Sequence, residues 1–288
     1  MKDAGLERAL GTMLAGMIGE LSERGPDSAG FALYGAPDTG ATKITVRLNA
    51  GDVAGEVAAR LGGALEDDVL VRSYGSHSVF TVPEEERDRA RAFLDAEGRL
   101  VVGEGRRMML FKAVGLPRDV ARHFDLAGMA GTHAIAHTRM ATESAVTTDG
   151  AHPFSTGADQ CLVHNGSLSN HNAVRRVLMR EGLAFRTEND SEVAAGYLTY
   201  RMRQGLSLGA ALEASLEDLD GFFTFVVGTE TGFGVLRDPI ACKPAVMAET
   251  DRFVAFGSEY RALAGLPGID NARVFEPEPG TVYFWERT

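Results

Sequence analysis

Between His137 and Glu192 the chain sets out a cation, a polar turn and an anion. The stretch opens His137-Thr138-Arg139-Met140-Ala141-Thr142 and runs through Ala151-His152-Pro153-Phe154 and Val163-His164-Asn165-Gly166 to Thr187-Glu188-Asn189-Asp190. Arg139, Asn165-Gly166 and Asp190 each fall at the end of a predicted strand or the start of a predicted helix, where side chains and backbone N–H groups can converge. A guanidinium at 139 can hold a carboxylate in bidentate fashion, which a lysine cannot match, although it can equally close a structural ion pair. An Asn amide and a glycine N–H at a strand-to-helix junction can form an oxyanion hole, and glycine lets a reacting carbonyl come close. Asn-Gly is also a common turn dipeptide. Asp190 can accept from a ligand ammonium group, or cap the helix predicted to start at Ser191. Taken together, these groups suit an amino acid with a polar side chain.

Other candidates are weaker. Arg24-Gly25-Pro26-Asp27-Ser28 reads as a helix stop followed by a turn, or as a turn that aims Arg24 at a neighbouring site. His137 and His152 read as packing or hydrogen-bonding histidines, and no carboxylate or cysteine stands at a spacing that would make either a metal ligand. Of the two cysteines, Cys161 lies in an apolar strand and reads as an inert thiol. Lys243 could lower the pKa of the neighbouring Cys242, but no His or Asp stands at a catalytic spacing. Neither is expected to be a nucleophile.

The elements that must position these groups follow from periodicity. Leu10, Met13, Leu14, Met17, Ile18 and Leu21 repeat at helical spacing behind Asp3 as N-cap, and Gly25-Pro26 stops the helix. Strands are predicted at 28–34 and 43–48, a helix at 52–65, and strand material at 69–82 broken at Gly75. Pro83 then opens a helix as its first residue, with carboxylates in the first turn. Strands at 99–102 and 107–114, a helix at 118–124 and a strand at 132–136 lead to the focal stretch. Helices at 169–182, 191–203 and 208–216 precede a strand-rich end. Hairpin-like pairs mixed with blocks of helices indicate an α+β chain rather than a doubly wound sheet.

Composition bounds the function. The 288 residues are 44% hydrophobic and 24% charged, ordinary globular usage with enough chain for a sizeable core. A net charge of −11 disfavours nucleic acid and anionic membrane surfaces as partners. No apolar run approaches the ~20 residues of a membrane span, and the N-terminus lacks the apolar core of a signal peptide, so the chain reads as cytosolic. Neither a dinucleotide fingerprint nor a P-loop is present.

Read in order, Arg24-Gly25-Pro26-Asp27-Ser28-Ala29-Gly30, the His137, Ala151 and Val163 motifs and Thr187-Glu188-Asn189-Asp190-Ser191-Glu192-Val193 resemble the glutaminase domain of class II glutamine amidotransferases, a family of N-terminal-nucleophile (Ntn) hydrolases. Segments beginning at Asp220, Arg237 and Phe256 are similar to the family as well. The resemblance spans nearly the whole chain as a single domain, with an enlarged insertion at roughly 36–130. That enlargement is most like the stand-alone glutaminase-type subunit of N-methylglutamate synthase or glutamate synthase. It implies a four-layer αββα sandwich. By position it gives Arg139 the glutamine α-carboxylate, Asp190 the α-ammonium, and Asn165 and Gly166 the oxyanion. Thr142 is a further substrate contact and Arg24 a supporting one. No cofactor or metal is implied; glutamine and the synthase subunits of a glutamate-synthase-like complex are the expected partners. Met140 and Glu143 stand where relatives often carry an aromatic residue and a histidine.

One departure concerns the nucleophile. In the family it is a cysteine at residue one, with its own α-amine (pKa ~7.7–8.0) as the base. This chain opens Met1-Lys2-Asp3, and the family's first strand, of the form Cys-Gly-Ile, is missing. Two expectations follow: a translation start several residues upstream at Met-Cys-Gly, or a non-catalytic glutamine-binding or structural subunit. A different Ntn-type amide hydrolase is a third.

Overall fold

The structure is a computed structural model that describes residues 1–141 and 145–287. A 3-10 helix, Ala4–Ala9, is capped by Asp3, whose carboxylate accepts from Gly5 N, and leads into α1 (Leu10–Glu20). There follow β1 (Ser28–Tyr34), β2 (Ala41–Arg47), α2 (Ala54–Leu65), β3 (Leu70–Tyr74), β4 (His77–Pro83), α3 (Arg87–Ala96), β5 (Leu100–Gly105), β6 (Met108–Val114), α4 (Pro117–His123) and β7 (His133–Arg139). The second half holds β8 (Phe154–Gly157), β9 (Gln160–Leu168), α5 (His171–Arg180), α6 (Asp190–Arg203), α7 (Leu208–Asp218) and β10 (Gly221–Gly228). It ends with β11 (Gly232–Arg237), β12 (Val246–Glu249), β13 (Val254–Gly257), β14 (Arg273–Phe275) and β15 (Val282–Glu286). Pro83 closes β4 in extended conformation and precedes a 3-10 turn, so α3 starts at Arg87 rather than at the proline.

Side-chain alternation along the strands builds the layers. In β1, Ala29, Phe31 and Leu33 turn outward onto Leu10, Leu14 and Ile18 of α1 and Val120 and Ala121 of α4. Ala32 and Tyr34, of opposite parity, turn inward to meet Cys161 and Val163 of β9, Val226 of β10 and Val235 of β11. On the far side, Leu162 and Leu168 of β9 and Phe223, Phe225 and Val227 of β10 pack under α5, α6 and α7. Helices, sheet β6-β1-β7, sheet β15-β11-β10-β9-β8 and helices thus stack as αββα, the architecture the resemblance implies.

Two further sheets complete the molecule. Residues 41–105 form a βαββαβ unit of strand order β3-β4-β2-β5, whose α2 and α3 cover one face through Val57, Leu61, Leu65, Ala90 and Leu94. A small sheet, β13-β12-β14, lies near the N-terminal helix through Phe253, Leu263, Leu266 and Leu6. Among the described residues, and apart from an isolated bridge at Arg139, β7 pairs only with β1 and β13 only with β12. The backbone from 132 to 140 and from 253 to 258 lines one groove, so two strand edges open onto the same space.

Candidate active site

Arg139 is the last residue of β7 and only 8% exposed. The turn at Arg24–Ser28 fixes this strand end. Pro26 bridges to Arg139, Asp27 N donates to Arg139 O at 3.0 Å, and Asp27 Oδ2 accepts from Ala141 N at 2.8 Å. A Cβ on Gly25 would lie 2.5 Å from the Thr138 carbonyl carbon, so glycine permits the close approach. The motif therefore serves the site mainly through its backbone and Asp27. Arg24 reaches the cavity wall but forms an ion pair with Glu259. Burial works to lower the Arg139 pKa while Asp190 and Asp27 oppose it; a guanidinium stays charged regardless.

Asn165 and Gly166 depart from expectation. They lie inside β9, opposite Thr224 and Phe223 of β10, rather than at a strand-to-helix junction. The ladder to β10 carries the strand on to Leu168, and α5 begins only at His171. A Cβ on Gly166 would sit 2.0 Å from Phe222 O and 2.8 Å from His164 Nε2, so no side chain fits there. Asp190 likewise is not the cap of its helix. Asn189 is, its Oδ1 accepting from Ser191 N at 2.9 Å while its Nδ2 donates to Gly150 O at 3.0 Å. Released from capping, Asp190 holds Oδ2 against Leu168 N at 2.9 Å.

Arg24, Arg139, Asn165, Gly166 and Asp190 all line one cavity of about 840 Å³, continuous with the groove between β7 and β13. Thr142 and Glu143 lie outside the described residues; Met140 is described and 61% exposed at the cavity wall. Cys161 is buried, its thiol pushed up to about 11 by burial, and Cys242 is exposed. Neither lines the cavity.

Sequence reasoning singled out neither His164 nor Lys112, and read His137 and His152 as packing or hydrogen-bonding histidines. His137, His152 and His164 gather at the cavity floor, the first two with ring centroids 4.2 Å apart. Burial holds His137 at about 3, His164 at about 4 and His152 well below the usual value, so all three are neutral near pH 7. Lys112, in the middle of β6, is buried, and Nζ donates to the carbonyls of Asp149 (3.0 Å), Ala151 (2.8 Å) and Pro153 (3.4 Å). It thereby braces the loop between Arg139 and β8. Burial lowers its ammonium pKa to about 8. Lys243, weighed from sequence only as a neighbour of Cys242, lines the cavity. Among the described residues no His, Cys, Asp and Glu cluster could hold a metal.

The α-amine of Met1 donates to Thr132 O at 2.6 Å, beside the start of β7. Arg139 stands at the other end of that strand, roughly 20 Å away at ~3.3 Å per residue. This amine cannot serve as a base at the Arg139 end.

An αββα sandwich of this layering has the architecture of the Ntn-hydrolase type. The fold aligns over 96% of this chain with the glutamine phosphoribosylpyrophosphate amidotransferase from B. subtilis (TM-score 0.62, 20% identity), of which it covers 44%. A similar match covers 45% of a structure described as the allosteric regulatory enzyme of purine biosynthesis (TM-score 0.65, 20% identity). This chain spans less than half of either. Residues 137–265 match the glutamine amidotransferase domain family. The glutamine amidotransferase-like protein GlxB of Rhizobium meliloti is 55% identical over 99% of this chain and 96% of its own length. A putative glutamine amidotransferase of Methanothermobacter thermautotrophicus is 32% identical over 96% of this chain and 95% of its own. The chain belongs to the glutamine amidotransferase family.

Proposed function

We propose that this chain is the glutaminase subunit of an amidotransferase complex: it binds glutamine, hydrolyses the side-chain amide and passes ammonia to a synthase partner. One observation carries the reading, the convergence of Arg139, Asn165-Gly166 and Asp190 on one cavity. Arg139 pairs with the α-carboxylate and Asp190 with the α-ammonium. The Asn165 amide and Gly166 N–H receive the oxygen that becomes negative when the amide carbon turns tetrahedral, a stage at which fixed donors contribute most. Arg24 supports the wall, and Thr142 is a further substrate contact. The partner is a synthase resembling those of N-methylglutamate or glutamate synthesis, and residues 41–105 form the heart of the enlarged insertion within a single domain. No helix among the described residues is long and apolar enough to cross a membrane; action in the cytoplasm, without nucleic acid or membrane, is part of the proposal.

The attacking thiol comes, in this reading, from an extended segment lying in the groove between β7 and β13. Among the described residues neither edge there is covered by a further strand, and one added strand would join β6-β1-β7 and β13-β12-β14 into a continuous sheet. A segment running along β7 and ending at Met1, whose amine lies at Thr132, would start beside Arg139. A cysteine at that start would face the oxyanion donors, with its own α-amine as base.

A second reading, glutamine binding without turnover, is favoured by the cavity lining, which holds no thiol among the described residues. The DNA upstream separates the two. An in-frame Met-Cys-Gly followed by apolar residues supports the glutaminase, and an in-frame stop sinks it.

A further inference from the structure

Asp190 is held from two sides. Leu168 N donates to Oδ2 at 2.9 Å, and Ser191 Oγ donates to Oδ1 at 3.3 Å. Ser191 is only 2% exposed, and its backbone N–H is already committed to Asn189 Oδ1, so the hydroxyl is what it has left to offer. That hydroxyl carries a single proton. A carboxylate can only accept, so the proton goes to Asp190 and the Ser191 oxygen becomes an acceptor. His164 Nδ1 lies 2.8 Å from it and must supply the N–H. This assigns the tautomer: hydrogen on Nδ1, lone pair on Nε2. The imidazole is buried, and its Nε2 lies 2.8 Å from where a Gly166 Cβ would stand, with no partner among the described residues. One ring thus touches the oxyanion end of the cavity and, through one hydroxyl, the ammonium end.

We propose that His164 and Ser191 form a positioning relay, Nδ1–H to Oγ–H to Oδ1, that fixes the Asp190 carboxylate for the substrate ammonium and sets its place relative to Gly166. The relay rests on the reading of the cavity as a glutamine site. It assigns no proton transfer to His164, which stays neutral and acts through Ser191. The arrangement also explains why a histidine occupies the interior of β9, where its neighbours Leu162, Val163 and Leu168 are apolar: an aliphatic side chain would leave the buried hydroxyl without a donor.

The test combines calorimetry of glutamine binding with ¹⁵N NMR of histidine tautomers on the folded chain. Wild type is expected to bind glutamine and to show His164 protonated on Nδ1. Ser191→Ala should weaken binding about tenfold and shift His164 towards the Nε2–H form, and Ser191→Thr should restore both. A merely structural serine would not move the tautomer. Wild-type affinity in Ser191→Ala, or an Nε2–H imidazole in the wild type, overturns the relay. Asp190→Asn isolates the underlying reading: if it binds glutamine as wild type does, the glutamine assignment of Asp190 fails, while the tautomer measurement still decides the hydrogen-bond order.

Discussion

Lowering the pH from 7 to 5 should unfold this protein, well above the range in which its carboxylates titrate. Desolvation holds His77 and His137 at about 3 and His133 and His164 at about 4. In the unfolded chain each titrates near ~6.5. The folded state therefore binds fewer protons, and stability falls as pH drops below 6.5, the loss continuing until the folded values near 3 to 4 are reached. At pH 5 each histidine costs about 2 kcal/mol and the four together about 8 kcal/mol, against a total stability of ~5–15 kcal/mol for typical proteins. Urea titrations at pH 8, 7, 6 and 5.5, followed by circular dichroism and by the single tryptophan, Trp285, measure this directly. The unfolding free energy should change by only about 1 kcal/mol between pH 7 and 8 and fall by about 5 kcal/mol per pH unit near pH 5.5, an uptake of between three and four protons. A change under ~1 kcal/mol between pH 7 and 5.5 would refute the claim that these imidazoles are buried and neutral.

Lys112 gives a slope of the same sign at alkaline pH. Its folded pKa of about 8 lies below the unfolded ~10.4, so stability should rise between pH 8 and 10.4 by up to ~3 kcal/mol relative to Lys112→Met. Equal slopes in the two proteins would place the amine in water. Gly166→Ala should destabilise by ~1–3 kcal/mol because its methyl meets the Phe222 carbonyl. In a turning-over enzyme Asn165→Ala should cut kcat by ~10²–10³, as loss of an oxyanion donor does; full activity would remove the Asn165 amide from that role. Arg139→Ala should weaken glutamine binding by ~1.5–3 kcal/mol, the worth of hydrogen bonds to a charged group. Unchanged affinity in calorimetry would take the α-carboxylate away from Arg139.

Local signals in the sequence were strong where one physical cause dominates. The repeat from Leu10 to Ile18 and the apolar run of β1 are dictated by burial against a neighbouring layer, and both stand where periodicity places them. The order of layers did not follow from periodicity; it came from the resemblance. Where long-range pairing competes with local propensity, the sequence misleads. Asn165-Gly166 carries a turn signature, yet the ladder to Thr224 and Phe223 keeps it in a strand. Asn189 and Asp190 are both good caps, and only Leu168 N decides which carboxyl or amide is free. Lys112 looks like a solvent-facing strand residue; its burial depends on three carbonyls of a loop some forty residues away. The link from His164 to Ser191 is of the same kind, a contact between β9 and α6 without a local signature.

Catalysis by this protein requires, in the glutaminase reading, that a strand laid between β7 and β13 bring a thiol to these oxyanion donors. The direct measurement is glutamate and ammonia release from glutamine by the chain extended at Met1 with Cys-Gly and a short apolar strand, beside the 288-residue chain and an extended chain whose cysteine is alanine. Turnover in the first alone is predicted, with glutamine binding retained in the alanine version. An extended chain that binds glutamine but releases no ammonia, or equal turnover by the 288-residue chain, would contradict it.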